Sequence, residues 1–199
     1  MPELIRTFVA IELPAAVQRG LTQLQERLKR DRPPVRWVAP DKIHVTLVFL
    51  GEIPAEMVET VGHSAARAAA GVLPFEIEAA GVGVFPNPNR PRVVWVGVQG
   101  NLPALQSLHA ALEADLATHG FPKEGRPYSA HLTLGRVRSR ATPPEARALG
   151  QAVTSLPSPS LGSWRVEQIA VIRSDLRPEG PIYTPLRVAE LGKSPNAGA

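Results

Sequence analysis

Two short stretches carry side chains fit for acid-base chemistry: "HVTLVFLG" over residues 44 to 51 and "HLTLGRVR" over 131 to 138. Each is a run of strand-forming residues that begins with a histidine and has a hydroxyl two positions later. Side chains of an extended strand alternate faces, so His44 and Thr46 look one way while Val45 and Leu47 look the other. His131 and Thr133 repeat this against Leu132 and Leu134. An imidazole, with a reference pKa near about 6.5, serves as base or acid at neutral pH. A threonine hydroxyl can donate to an oxyanion. If the two faces meet, one site holds a base, an acid and two donors. An in-line displacement at phosphorus needs that set: a base on the entering oxygen, an acid on the leaving oxygen, and donors for the non-bridging oxygens. Arg136, five residues after His131, adds a cation beside the phosphate.

A lone histidine at a strand start is more often structural than catalytic. Two of them, each with a hydroxyl on the same face, are poorly explained by packing. A metal site would need a third ligand, and the nearest carboxylates, Asp41 and Glu124, share no strand face with the histidines. We therefore expect no metal and no other cofactor. Nucleophilic attack by either threonine would need its own strand's histidine as base across a Cα separation of roughly 6.5 to 7 Å, a poor relay distance. His63, His109 and His119 fall in or beside helical patterns and are expected on solvated faces without partners.

The elements that must position the two motifs follow from periodicity and punctuation. "IRTFVAI" (5 to 11) predicts a strand. From Pro14, Leu13, Val17, Leu21, Leu24 and Leu28 recur at helical spacing. "VRWV" (35 to 38) predicts a short strand before the His44 strand, and Pro54 starts a second helix. "FEIEAAGVGVF" (75 to 85) and "RVVWVGV" (92 to 98) flank the turn-rich "PNPNRP". Asn101 can cap a helix with Leu105, Leu108, Leu112 and Leu116 on one face, ended by Gly120. After the His131 strand come a helix near 143 to 155, one strand near 163 to 172 and another near 182 to 190. Residues 1 to 191 read as a single bilobal catalytic domain, and 192 to 199 as a disordered tail.

This order contains a duplication. "LPA" at 13 to 15 and again at 102 to 104 opens a helix, H-x-T-L follows each time, and a proline then starts another helix. Two such halves can pack about a pseudo-two-fold axis, as identical subunits do, bringing the histidine strands together.

Composition sets the frame. The chain has 199 residues, 44% hydrophobic and 20% charged, with a net charge of +4. It has no cysteine, which excludes disulfides, thiol nucleophiles and cysteine-ligated zinc and points to a cytoplasmic protein. No window approaches a membrane span. Of its 22 basic residues, 18 are arginine. Guanidinium groups grip phosphate in pairs of hydrogen bonds, which fits a nucleic-acid partner, although a GC-rich genome would also raise Arg, Ala, Pro and Gly together.

The sequence resembles the 2H phosphoesterase superfamily, which is named for two H-x-[ST]-x motifs. Within it the chain is similar to the RNA 2′,3′-cyclic phosphodiesterases of the LigT or ThpR type, also called 2′-5′ RNA ligases. The resemblance runs through "RTFVAIELP", "HVTLVFLG", "GVGVFPNPNRPRVVWVGV", "RPYSAHLTLGR" and "SDLRPEGPIYTPL", with Ala130 standing where the family usually has proline. It implies an α+β fold of two pseudo-symmetric lobes whose antiparallel sheets line a central cleft. It also implies hydrolysis of RNA 2′,3′-cyclic phosphate ends to 2′-phosphates, and 2′-5′ ligation by the related displacement. His44 would be the proton donor and His131 the proton acceptor, with Thr46 and Thr133 holding the phosphate. Phe49, Tyr128 and Arg136 would contact the substrate, and the enzyme would work as a monomer. Two other readings fit: a phosphodiesterase of small cyclic nucleotides or ADP-ribose cyclic phosphate, and a non-catalytic nucleotide- or RNA-binding module.

Overall fold

The structure is a computed structural model that describes residues 2–157, 160–178 and 180–193. Nine strands and four α-helices follow in the order β1 (Leu4–Ile11), α1 (Ala15–Lys29), β2 (Val35–Trp37), β3 (Val45–Pro54), α2 (Val58–Ala70), β4 (Phe75–Phe85), β5 (Val93–Gly100), α3 (Leu102–Thr118), β6 (His131–Val137), α4 (Pro143–Thr154), β7 (Ser160–Val166), β8 (Gln168–Arg177) and β9 (Gly180–Glu190). The Asn101 side chain caps α3 by accepting from the Ala104 amide. Thr142 and Glu145 cap α4 reciprocally. The strand expected near 163 to 172 is two strands, broken at Glu167. The apolar alternation of Trp164 and Val166 stops at the break, where Glu167 and Gln168 are both polar and burial resumes at Ile169, a phase slip that the sequence reading passed over. Residues 194–199, the greater part of the expected tail, lie outside the described residues.

All strand pairs are antiparallel, in the order β7-β4-β5-β6-β3-β1-β8-β9 with β2 added on β6. The order is symmetric about its middle. β3, β1, β8 and β9 form one half, and β6, β5, β4 and β7 form the other. The halves join through one bridging pair, Val45 with Leu132. Strand, helix, histidine strand and helix occur in both halves of the chain, and the fold is the expected α+β pair of lobes.

The helices cross between lobes. α1, from the first half of the chain, packs on β7 of the second lobe. A Cβ on Gly20 of α1 would stand 2.7 Å from the Leu161 carbonyl oxygen. Gln25 of α1, 1% exposed, donates to the carbonyls of Val38 and Leu134 at 2.7 and 3.0 Å and so ties α1 to the β2 and β6 region. Leaving those carbonyls unpaired would cost about 1 to 3 kcal/mol each. In exchange, α3 packs on α2 and β3 of the first lobe, where Arg67 donates to both oxygens of Asp115 at 2.8 and 2.7 Å. The leucine stripe of α3, Leu105, Leu108, Leu112 and Leu116, is at most 1% exposed, each side chain contributing roughly 1.5 to 3 kcal/mol on burial. Among the described residues, no helix is long and apolar enough to cross a membrane.

Candidate active site

The bridge between lobes brings the two motifs together. Val45 and Leu132 face each other and are both fully buried. In an antiparallel pair, residues one step to either side of a bridge are opposite one another and point to the other face. His44 therefore falls opposite Thr133 and Thr46 opposite His131. By register, each histidine is opposite the other motif's threonine.

Both histidine strands then break alternation at the same place. Against β1, Val9 pairs with Val48 and Ala10 with Thr46, so Leu47 is an extra residue. Against β5, Val94 pairs with Gly135 and Trp95 with Thr133, so Leu134 is extra. Each is a β-bulge three residues after its histidine. Without it, the fifth residue after each histidine would point away from the cleft. With it, Phe49 and Arg136 both line the cleft. The spacing that suggested Arg136 as a cation ignored strand alternation, and the bulge supplies what was missing.

Each imidazole is held in the same way. His44 donates through Nδ1 to the Lys42 carbonyl at 3.1 Å, and His131 through Nδ1 to the Ser129 carbonyl at 2.8 Å. In the neutral ring this leaves Nε2 bare, the atom that would take or give a proton. Their surroundings differ. His44 stacks on Phe8 at 4.5 Å between centroids and meets the edge of Tyr183 at 5.4 Å. Phe8 belongs to a small apolar cluster with Ala10, Ala170 and Ile172 that floors this side of the cleft. Burial there lowers the His44 pKa to about 4, and the Lys42 carbonyl opposes the shift only in part. His131 meets the edge of the Phe85 ring at 5.2 Å.

The cleft has a volume of about 700 Å³. Arg6, Arg36, Lys42, Arg136 and Arg177 line it, and among the described residues its lining includes no carboxylate. Lys42 has Asp41 at 3.3 Å; among the described residues, none of the four arginines has a carboxylate within 4.0 Å. Such a surface concentrates anions. Phe49 is 52% exposed and carries the Arg6 guanidinium over its ring at 4.5 Å. No three His, Asp or Glu side chains among the described residues come together as metal ligands.

Thr46 and Thr133 line the cleft with His44, while His131 stands outside its lining beside Phe85. Tyr128 is placed differently from the expectation. It stacks on His109 at 4.0 Å, and its hydroxyl donates to the Thr46 carbonyl at 3.1 Å. Burial pushes its phenol up, and it braces β3 from behind instead of lining the cleft. His109 is thus half-buried, not on a solvated face. His119 also has partners, with Nε2 at 3.3 Å from Arg67 and 3.7 Å from Asp115. Sequence reasoning missed Phe8, Tyr183, Arg6 and Arg177. All four lie in blocks quoted for the family resemblance, yet neither periodicity nor spacing marks them.

The family model for LigT like phosphoesterases matches twice, over residues 11–95 and 96–183, once for each histidine motif. The chain is 35% identical over 187 residues to the RNA 2′,3′-cyclic phosphodiesterase of Methanothermobacter thermautotrophicus, covering 94% of this chain and 99% of that one. It is also 35% identical over 188 residues to the protein of the same name from Archaeoglobus fulgidus, covering 94% and 100%. Among solved structures, E. coli LigT complexed with 3′-AMP superposes with a TM-score of 0.77 at 28% identity, covering 96% of this chain and 100% of that one. Two tandem family matches, with full-length likeness to phosphodiesterases, establish that the chain is an enzyme of the LigT-like group of 2H phosphoesterases.

Proposed function

We infer that the protein opens RNA 2′,3′-cyclic phosphate ends to 2′-phosphates by acid-base catalysis between His44 and His131. The carrying observation is the Val45–Leu132 bridge, which makes the two motif strands neighbours and puts each histidine opposite the other motif's threonine in register. The names of the relatives and the four cleft arginines without a carboxylate partner among the described residues support an RNA end as substrate. Water attacks phosphorus opposite O3′ as one imidazole takes the water proton at Nε2. The P–O3′ bond breaks as the other imidazole gives its proton to O3′, leaving a 2′-phosphomonoester and a 3′-hydroxyl. Thr46 and Thr133 donate to the non-bridging oxygens, Arg136 offsets their charge, and Phe49 stacks on the terminal base. With a 5′-hydroxyl in place of water, the same displacement makes a 2′-5′ linkage. One chain supplies both histidines, so a monomer is sufficient.

The family resemblance makes His44 the donor to O3′ and His131 the acceptor from water. Burial of His44 favours the exchanged roles, because a histidine with a pKa about 4 is already the neutral base near pH 7. The test of the function is incubation with an RNA carrying a terminal 2′,3′-cyclic phosphate, followed by identification of the product isomer. A 2′-phosphate formed in the presence of EDTA supports the reading. A 3′-phosphate, or activity that EDTA abolishes and a divalent ion restores, overturns it. Faster turnover of ADP-ribose cyclic phosphate or cyclic mononucleotides than of any RNA end would move the substrate to that class. Binding without turnover would leave a nucleotide-binding module.

A further inference from the structure

A second cavity, of about 600 Å³, opens beside the cleft where the end of α1 meets the loop after β6. Lys29, Arg32, Arg138 and Arg140 line it, with Glu145 as its one carboxylate. Glu145 is engaged by the Thr142 amide and hydroxyl at 2.8 and 2.6 Å. Lys29 has Glu26 at 3.4 Å; among the described residues, the other three cations have no carboxylate within 4.0 Å. Trp37 lines both cavities and stands at their junction. The β2–β6 register makes the track continuous. Arg36 pairs with Arg136, and the Arg138 amide donates to the Pro34 carbonyl, placing Arg138 two register positions farther along the same edge. Trp37 pairs with Gly135, one position nearer the histidines than Arg136. From the phosphate site the line of guanidinium groups therefore starts beside Trp37, runs through Arg136 and Arg36, and ends at Arg138, Arg140 and Arg32.

We propose that this track holds the single-stranded RNA leading up to the cyclic phosphate. Cations would follow its phosphates, and Trp37 would stack an upstream base. The proposal rests on the RNA-end reading above. A groove of unpaired arginines beside an aromatic ring is the form that sequence-tolerant single-strand binding takes, because every base has a π-face and every phosphate a charge. It also separates the two ends of the cleft. β3 and β6 are antiparallel, so Phe49 and Arg136 lie in opposite directions from the bridge. The terminal base goes toward Phe49 and the upstream strand toward Arg136.

The test measures kcat/KM on cyclic-phosphate substrates from the mononucleotide to about eight nucleotides, within the span such grooves cover. The wild type is expected to gain about tenfold or more with length, the gain shrinking as salt rises. The double variant Arg138→Glu, Arg140→Glu, with both positions exposed, is expected to hydrolyse the mononucleotide like wild type and to lose the gain. A flat length dependence in the wild type, or a gain that survives in the double variant, overturns the track. If no substrate of any length turns over, the function reading falls instead. Binding of a fluorescent 2′-phosphate-ended oligonucleotide then decides the track: equal affinity for wild type and double variant rejects it, and a loss of about tenfold or more in the variant sustains it.

Discussion

His44 and His131 make the same hydrogen bond to the carbonyl two residues back, and a bulge follows each at the same offset. Beyond that the two half-sites part. His44 lies under Phe8 and Tyr183 on an apolar floor and lines the cleft, whereas His131 stands outside that lining with the Phe85 ring beside it. A repeated sequence yields two equal imidazoles. What the repeat does not share is the set of neighbours around His44, which bury it and lower its pKa.

The strongest way to break the comparison is to remove each histidine. His44→Ala and His131→Ala are each expected to lower kcat by roughly 10² to 10⁴, with the double variant far less impaired than the product of the two. Near-wild-type turnover in either single variant, measured on properly folded protein, would end the paired mechanism.

The threonines come next. Thr46→Ala and Thr133→Ala each remove one hydrogen bond to a charged phosphoryl group, about 1.5 to 3 kcal/mol, and are expected to cost kcat/KM roughly ten- to a hundredfold. That is less than loss of the histidine opposite. Losses equal to the histidine variants in steady-state assays would show the hydroxyls in a larger role.

The pH profile sharpens the comparison. If His44 is the base, kcat/KM rises through about pH 4 as it loses its proton, and His44→Ala abolishes that acidic limb. If His44 is the donor, kcat/KM instead falls above about pH 4 in the free enzyme. Phe8→Ala opens the floor beneath the ring and is expected to move the His44 limb up toward the ordinary histidine range. A limb that stays in place would show that burial by Phe8 is not the cause.

The smallest expected effect is on stability. The folded protein resists protonating His44, while the unfolded chain binds that proton from near about 6.5 downward. The contribution of His44 to stability is therefore fully present above that pH and is lost as pH falls toward 4. Thermal melts of wild type and His44→Ala should diverge less in their pH dependence above pH 7 than between pH 6.5 and 4. Parallel curves across the window would argue against a depressed folded-state value.

The helices, the caps and the two histidine faces were legible in the sequence because each is written in local spacing. The leucine stripe of α3 and the Asn101 cap needed no tertiary knowledge. What stayed hidden depends on partners far along the chain. Leu47 and Leu134 read as ordinary core residues, and only the neighbouring strands reveal that each is one residue too many. Val166 and Ile169 read as one strand, although they serve opposite edges of the sheet. The resemblance made Tyr128 a substrate contact, but it packs inward on His109. The floor under His44 combines β1 with β8, and no local pattern joins them.

The helix crossing also governs when the enzyme can exist during synthesis. α1 is made early, yet β7, the strand it packs on, leaves the ribosome more than a hundred residues later, and β8, which pairs with β1, later still. At about 5 to 20 residues per second the delay is on the order of ten seconds. Through it, the part of α1 that β7 covers, Gly20 against Leu161 and Val17 against Gly162, lacks its native partner. The surroundings of His44 are likewise incomplete until β8 has paired with β1 and Tyr183 of β9 has been added.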